Sequence, residues 1–157
     1  MSQTVGGLTI GEVAPNFSLS DQHGVKVSLS SFRDKKNVVL LFYPFSFTGT
    51  CTSELCEIRD DLNTFQNEDV QLLAISCDSI FSQRLFAEAQ GYKFPVLSDF
   101  WPHGEVSKAY GVFNKDRGCA IRGTFIIDKK GILRWQVINV MGDARSTPEY
   151  KSALEAL

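Results

Sequence analysis

The amino-acid sequence predicts an α/β fold: a mixed central sheet with helices on both faces and an additional β-hairpin near the N-terminus. Three observations predict this arrangement. Two continuously apolar segments flank an amphipathic helical segment, which indicates a parallel βαβ unit with a right-handed crossover. Two strand-like segments flank a tight turn near the C-terminal end, and two alternating segments precede the βαβ unit. The 157 residues are expected to form one domain over residues 1–157.

Each element follows from a local pattern of polarity and turn residues. Alternating polarity predicts the N-terminal hairpin, and continuous apolar runs predict strands that are buried on both faces. Helical spacing of apolar residues, with Ser79 and Thr147 as caps, predicts the longer helices. The predicted elements are strands 16–19 and 25–29, strand 38–43, helix 52–65, strand 70–76, helix 79–91, strand 94–98, helix 105–110, strands 124–127 and 132–138, and a helix from residue 147. This order is that of a thioredoxin fold with an extra N-terminal hairpin.

Two of the predicted helices are expected to bury one apolar stripe each. In the first helix, Cys51 stands at the N-terminal end of the stripe formed by Leu55, Ile58 and Leu62. In the second helix, the stripe consists of Phe81, Leu85, Phe86 and Ala89.

Composition and charge restrict the class of partner and the compartment. A net charge of −2 gives no electrostatic reason to expect a nucleic acid or an anionic membrane as partner. The longest apolar run, residues 38–43, is too short to span a bilayer. The first residues do not have the pattern of a signal peptide, so a cytoplasmic protein is expected.

Four cysteines, Cys51, Cys56, Cys77 and Cys119, stand in a chain that has no C-x-x-C motif. The missing motif argues against a thioredoxin-type dithiol and against a zinc ribbon. Neither metal-ligand spacing nor a glycine-rich phosphate loop is present, so no metal and no cofactor are expected. Cys77 is predicted to be a buried core thiol, and Cys119 a thiol in a loop or at a strand edge.

The segment from Pro44 to Cys51 reads P-x3-T-x2-C and lies between a predicted strand and a predicted helix. A cysteine at the start of a helix lies in a field that favours its thiolate, the form that attacks electrophiles. Without this context, a cysteine would more often be a small buried hydrophobic residue. The spacing therefore indicates a reactive thiol.

The P-x3-T-x2-C pattern resembles the active-site signature of peroxiredoxins. The resemblance extends from Gly11 to Gly131, and residues 98–104, 109–114 and 122–125 are similar to those of the alkyl hydroperoxide reductase E subgroup. It implies a thiol-dependent peroxidase that reduces hydrogen peroxide and organic hydroperoxides through a cysteine sulfenic acid.

The resemblance also implies a role for each residue of the motif. Cys51 would be the peroxidatic cysteine, and Thr48 and Arg122 would bind the peroxide and stabilise the thiolate. Pro44 would close the pocket, and Glu54 would orient Arg122. For Glu54, a simple first-turn carboxylate favoured by the helix dipole remains an alternative.

Cys56 departs from the pattern of this one-cysteine subgroup, although the bacterioferritin-comigratory peroxiredoxins have a resolving cysteine at the same offset. In an intact helix, Cα atoms five residues apart are about 8.7 Å from each other, which is too far for a disulfide. Resolution by Cys56 would therefore require the helix start to unwind. The alternative is that Cys56 is a partly exposed bystander on the other helix face.

The sequence leaves open the reductant, the role of the loop aromatics and histidines, and an alternative function. The reductant could be thioredoxin, a glutaredoxin-like protein or a low-molecular-weight thiol, and the family suggests a homodimer. Loop aromatics at 45, 47, 100 and 101 could line an apolar pocket mouth. His23 and His103 have no signature of a cysteine–histidine catalytic pair. The main alternative function is a peroxide-sensing redox switch or holdase, and a disulfide reductase is disfavoured because C-x-x-C is missing.

Overall fold

The computed structural model describes residues 8–139 and 147–157, with only the backbone described for Thr50, Cys51 and Thr147. The strands are β1 (Ser18–Ser20), β2 (Lys26–Ser28), β3 (Asn37–Phe42), β4 (Val70–Ser76), β5 (Val96–Ser98), β6 (Phe113–Asn114), β7 (Cys119–Ala120), β8 (Arg122–Ile127) and β9 (Leu133–Asn139). The helices are α1 (Gly49–Asp60), α2 (Leu62–Phe65), α3 (Ile80–Gln90), α4 (Glu105–Ala109) and α5 (Thr147–Glu155), and a 3₁₀ turn spans Leu29–Phe32. None of the helices in these ranges has the length and apolar character needed to span a membrane.

A seven-stranded mixed sheet, in the order β2-β1-β5-β4-β3-β8-β9, forms the centre of the fold. The inner strands β3, β4 and β5 are parallel, while β8 and β9 run antiparallel to them, and β1 and β2 form the N-terminal hairpin. The thioredoxin-like sheet and its extra hairpin are therefore confirmed. The parallel order follows from the βαβ crossover through α1.

The position of β3 in the sheet explains why residues 38–42 are all apolar. Val38, Leu40 and Phe42 belong to a core on one face of the sheet, which also contains Val106 of α4. Val39 and Leu41 belong to the core on the other face, which contains residues of α1, α3 and α5. Because successive side chains of a strand point to opposite faces, the part of a strand that is covered on both sides is mostly apolar.

The predicted helix over residues 52–65 is two helices in the structure. The backbone leaves helical geometry at Asp61, where φ is −127° and ψ is 35°. The Asp61 carboxylate accepts a hydrogen bond from Thr64 Oγ1 at 2.9 Å and contacts Lys151 Nζ at 2.5 Å. A short acidic side chain with such local partners competes with helical hydrogen bonding, so the break occurs there.

The predicted stripe of α3 is wrong, although the helix bounds are confirmed. Phe81 and Leu85 are 73% and 61% exposed, whereas Gln83, Phe86 and Ala87 are buried. Gln83 faces inward because its Nε2 donates to Ser76 Oγ at 2.9 Å and to the Leu97 carbonyl at 2.8 Å. These hydrogen bonds offset the cost of burying an amide and rotate the helix relative to the purely apolar prediction.

The sequence prediction missed the short antiparallel pair β6–β7, and it placed the start of β8 two residues late. Two-residue strands carry too little periodicity to be recognised. Because of this earlier start, Arg122 is the first residue of β8.

Gly123 follows Arg122 in β8 and is required by close packing. A Cβ atom at this position would lie 2.8 Å from Val112 Cγ1 and 3.2 Å from Phe125 Cε1. Gly123→Ala should lower the free energy of unfolding by about 1–3 kcal/mol in urea denaturation, because it overpacks the core. Gly49→Ala is the matched control, since its Cβ would meet nothing within 4 Å, and it should be neutral or stabilising.

The closer of the two contacts, at 2.8 Å, is with Val112. The double variant Gly123→Ala/Val112→Ala should therefore lose less stability than the sum of the two single variants. Strict additivity would contradict this packing account.

Candidate active site

The ends of the central strands bring the predicted site residues to one edge of the sheet. Phe42, the last residue of β3, pairs with Ile75 of β4 and with Gly123 of β8. The loop after β3, the start of α1 and the first residue of β8 therefore meet at the carboxyl edge of the parallel strands. In open α/β sheets this edge is where ligands bind.

Thr48 is the N-cap residue of α1, but its side chain does not cap the helix. Its backbone is extended, with φ −85° and ψ 150°, and its hydroxyl accepts no hydrogen bond from the first turn. The hydroxyl instead donates to the Phe45 carbonyl at 3.0 Å. Because the proton is used there, the Thr48 oxygen faces a ligand as an acceptor, and its side chain does not occupy the first-turn amides.

Cys51 is the third residue of α1. Its backbone therefore lies in the first turn, where amide groups and the helix dipole create a positive field. Leu55 and Ile58, which follow on the same helical face, are both buried, as predicted. The position of the sulfur on this face stays a prediction.

Arg122 and Glu54 form a buried ion pair between β8 and α1. Arg122 Nε lies 3.1 Å from Glu54 Oε1, and the two side chains are only 5% and 4% exposed. Glu54 stands three residues after Cys51, which is close to one helical turn on nearly the same face. The pair therefore brings a guanidinium to the helix start that carries Cys51.

Pro44 is buried immediately after β3, next to the fully buried Tyr43. Proline contributes no N–H group at this point, so its burial leaves no amide donor without a partner. The ring adds an apolar wall at the strand end.

The described ranges of the chain contain no group of three or more His, Cys, Asp or Glu side chains that could hold a metal ion. His103 has a structural role, since its ring nitrogens contact the Phe100 carbonyl at 3.0 Å and the Gly118 carbonyl at 2.7 Å. His23 lies exposed in the turn of the N-terminal hairpin. Neither histidine is therefore part of the site, and the charged side chains that the structure describes at this sheet edge are the Arg122–Glu54 pair and those of the neighbouring loops.

Residues 10–136 match the AhpC/TSA family. The chain is 46% identical to alkyl hydroperoxide reductase E of Mycobacterium tuberculosis over 150 residues, which cover 96% of this chain and 98% of that protein. The chain belongs to the AhpC/TSA family. It is a peroxiredoxin, an oxidoreductase that reduces peroxides at the expense of thiols.

Solved structures of peroxiredoxins have the same fold as this chain. Reduced 2-Cys peroxiredoxin of Plasmodium vivax superposes on this chain with a TM-score of 0.83 at 30% identity, and the match covers 94% of each of the two chains. Peroxidoxin BcpB of Mycobacterium tuberculosis has a TM-score of 0.82 at 30% identity, with 94% and 97% coverage.

Cys56 of this peroxiredoxin is partly exposed and packs against the core that contains residues of α1 and α3. Its thiol donates to Gln90 Oε1 at 3.4 Å, and its sulfur lies 3.6 Å from the Tyr92 hydroxyl. Cys51 and Cys56 both lie inside the uninterrupted helix α1. In this state, their helical separation does not permit a disulfide.

The other two cysteines are buried at different depths in the fold. Cys77 is buried, as predicted, and its burial raises the pKa of the thiol to about 12. Cys119 is the first residue of β7 in the two-stranded sheet β6–β7, so the predicted loop or strand-edge position is confirmed. The thiol is also fully buried there.

The four loop aromatics do not form one pocket mouth. Phe47 packs on Phe86 of α3, with ring centroids 5.0 Å apart. Phe100 and Trp101 instead line a groove with Phe81 beside β1 and β5.

Sequence reasoning missed two features of the site. Phe47 has a positive φ of 71°, which is rare for a bulky residue and gives no clear sequence signal. Asp78 follows β4 and contacts the loop before α1. Its position just after a buried strand, at the same edge as Pro44, is the signal that could have identified it.

Because the Arg122–Glu54 ion pair is buried, removal of the Glu54 carboxylate should cost much more stability than removal of an exposed ion pair. Glu54→Ala should lower the free energy of unfolding by about 3–5 kcal/mol, because Arg122 loses its buried counter-charge. Glu54→Gln keeps an acceptor oxygen and should cost less. The control Lys130→Ala removes an ion pair with Asp34 whose side chains are 77% and 70% exposed, and it should not shift the urea midpoint measurably. Equal midpoints for Glu54→Ala and Lys130→Ala would contradict the assigned role of the pair.

Proposed function

We propose that Cys51 is the peroxidatic cysteine of this peroxiredoxin and that its substrates are hydrogen peroxide and organic hydroperoxides. The thiolate of Cys51 attacks one peroxide oxygen, the O–O bond breaks, and the second oxygen leaves with the bonding electron pair. That oxygen takes up a proton and departs as water or an alcohol, while Cys51 becomes a sulfenic acid. The sulfur is oxidised by two electrons, and the peroxide is reduced by two.

One observation supports this assignment most strongly: the buried guanidinium of Arg122 is held one helical turn from Cys51 by Glu54. A fixed cation stabilises the thiolate before the reaction and the leaving oxygen during it. During the reaction, negative charge moves from the Cys51 sulfur to the leaving oxygen, and both atoms lie within reach of the Arg122 guanidinium. The site therefore needs little reorganisation. In this proposal, Glu54 positions Arg122.

Thr48 and Pro44 complete the proposed peroxide site. The Thr48 oxygen accepts the O–H of the bound hydroperoxide, because its own proton is donated to Phe45. The acceptor orients the peroxide along the line of attack. Pro44 keeps bulk water away from the sulfur, which strengthens the electrostatic interactions at the site.

Regeneration of Cys51 requires an external thiol, and thioredoxin, a glutaredoxin-like protein and a low-molecular-weight thiol fit equally well. Cys56 is the proposed resolving cysteine. Its thiol would displace the sulfenic oxygen as water and form a disulfide, which the external reductant then opens. Because both cysteines lie in α1, the first turns must unwind before this step, and helix ends are among the segments that open most easily.

We propose further that the chain acts as one domain, forms a homodimer and works in the cytoplasm. Support for the dimer comes from a cluster of exposed apolar side chains, including Phe81, Leu85 and the 82% exposed Trp101. Support for the location comes from the chemistry, since reducing compartments keep such thiols in the reactive form.

The assignment of Cys51 and Thr48 is tested by stopped-flow oxidation with hydrogen peroxide and an alkyl hydroperoxide. Cys51→Ser should abolish the rapid phase, whereas Cys77→Ser should retain it. Thr48→Val should slow oxidation about 100-fold or more, because it removes the acceptor, and Thr48→Ser should restore most of the rate. A rapid phase that survives in Cys51→Ser would refute the proposal.

Turnover with a thiol reductant separates a peroxidase from a peroxide sensor or holdase. The peroxidase should consume many equivalents of peroxide for each protein chain. Oxidation that stops after one equivalent with every reductant class would instead favour the sensor.

The role of Cys56 is tested by one equivalent of peroxide followed by peptide mass spectrometry. A disulfide between Cys51 and Cys56 should accumulate in wild type, while Cys56→Ser should accumulate sulfenic or sulfinic acid on Cys51. Accumulation of oxidised Cys51 in wild type, with Cys56 still a thiol, would show that Cys56 does not resolve.

A further inference from the structure

The Asp78 side chain, two residues beyond the end of β4, is the centre of a polar network next to the proposed site. One carboxylate oxygen, Oδ2, accepts three hydrogen bonds: from the Ser46 amide at 2.9 Å, from Ser46 Oγ at 2.9 Å and from Ser76 Oγ at 2.7 Å. Hydrogen bonds to a charged acceptor are stronger than neutral ones. Asp78 therefore ties the loop after β3 firmly to the end of β4.

The rest of the network fixes Asp78 itself. Ser76 Oγ, which donates to Asp78, accepts a hydrogen bond from Nε2 of the fully buried Gln83. Ser98 Oγ donates to the Asp78 carbonyl at 2.6 Å. On the loop side, the Tyr43 hydroxyl donates to Ser46 Oγ at 3.0 Å, because the Ser46 proton is used by Asp78. Ser76 of β4 therefore holds the Asp78 carboxylate, Gln83 of α3 holds Ser76, and Ser98 of β5 holds the Asp78 backbone.

The loop that Asp78 anchors has a strained backbone. Phe47, directly after Ser46, has a φ of 71°, and its ring packs on Phe86. A bulky residue persists in this region only where its surroundings enforce it. Thr48 comes next, and its hydroxyl is turned back onto the Phe45 carbonyl. Release of Ser46 would allow Phe47 to relax and would move Thr48 and the start of α1.

We infer that Asp78 is a positioning residue of the peroxide reaction, which acts through Ser46 to hold Thr48 and the first turn of α1 in the reactive geometry. The inference rests on the proposed function. It makes a prediction opposite to that of simple electrostatics. If the Asp78 carboxylate acted only as a nearby negative charge, it would disfavour the Cys51 thiolate, and its removal would speed oxidation at neutral pH. If Asp78 acts by positioning, its removal slows oxidation.

The test is the pH profile of the second-order rate constant for oxidation by hydrogen peroxide, measured by stopped flow. At high pH Cys51 is fully thiolate, so the limiting rate reports geometry rather than protonation. Asp78→Ala should lower this limiting rate about 10- to 100-fold. Asp78→Asn, which keeps an acceptor oxygen at the same place, should recover most of the loss.

A double-variant cycle traces the effect through Ser46. Ser46→Ala should lower the limiting rate in the wild-type background and have no further effect when Asp78 is alanine. Ser79→Ala is the matched control: it removes the N-cap of α3, next to Asp78, and should change stability but not the limiting rate.

An Asp78→Ala limiting rate equal to wild type, or an equal loss in Ser79→Ala, would overturn the inference. If Asp78→Ala does not fold, the limiting rate of Ser46→Ala decides: a reduced rate supports the inference, and a rate equal to wild type overturns it. Rapid oxidation that survives in Cys51→Ser would refute the proposed function itself, which is a separate result.

Discussion

A buried charge pair between two elements is the constraint on which the site depends. Arg122 begins β8 and Glu54 lies in α1, and their side chains meet at 3.1 Å with almost no exposure to solvent. Removing both charges from water is costly, and the cost is offset only while the partners stay together. The pair therefore fixes the distance between the first turn of α1 and the sheet edge. It also brings the Arg122 guanidinium to the helix start that contains Cys51.

The proposed reaction cycle places two conflicting requirements on the start of α1. For reaction with peroxide, the first turn must be intact, with its amides directed towards the ligand and the Thr48 hydroxyl turned away from the helix. Leaving the helix without a side-chain cap costs about 1 kcal/mol. Burial of Leu55 and Ile58 further along the helix offsets this cost. For resolution by Cys56, the same turn must open, and a weakly capped helix end is suited to that. Asp78, Ser46 and the strained Phe47 hold the loop that precedes α1. The first turns of the helix can therefore unwind while this loop keeps its conformation.

The sequence predicted well what depends on local pattern. Strand 70–76 agrees with β4 to the residue, and the Ser79 cap and the following helix appear as expected, because cap chemistry and continuous apolar runs are strong signals. It failed where tertiary contacts override local preference. Gln83 is buried because its partners come from β4 and β5, which no helical wheel shows. Asp61 breaks a continuous apolar stripe, and the pair β6–β7 has only two residues in each strand, too few for a recognisable period. For the site, motif spacing named Cys51, Thr48 and Arg122, but Asp78 acts through a contact over 32 residues, which the spacing does not encode.

Arg122 and the helix start should stabilise the charge of Cys51 and so favour its thiolate. Ultraviolet absorbance of the thiolate, titrated against pH with Cys51→Ser subtracted, measures this directly. Wild-type protein should give a Cys51 pKa well below the ordinary value of about 8.5, and Arg122→Met should return the pKa towards that value. A wild-type pKa near 8.5, or a low pKa that Arg122→Met leaves unchanged, would contradict the account.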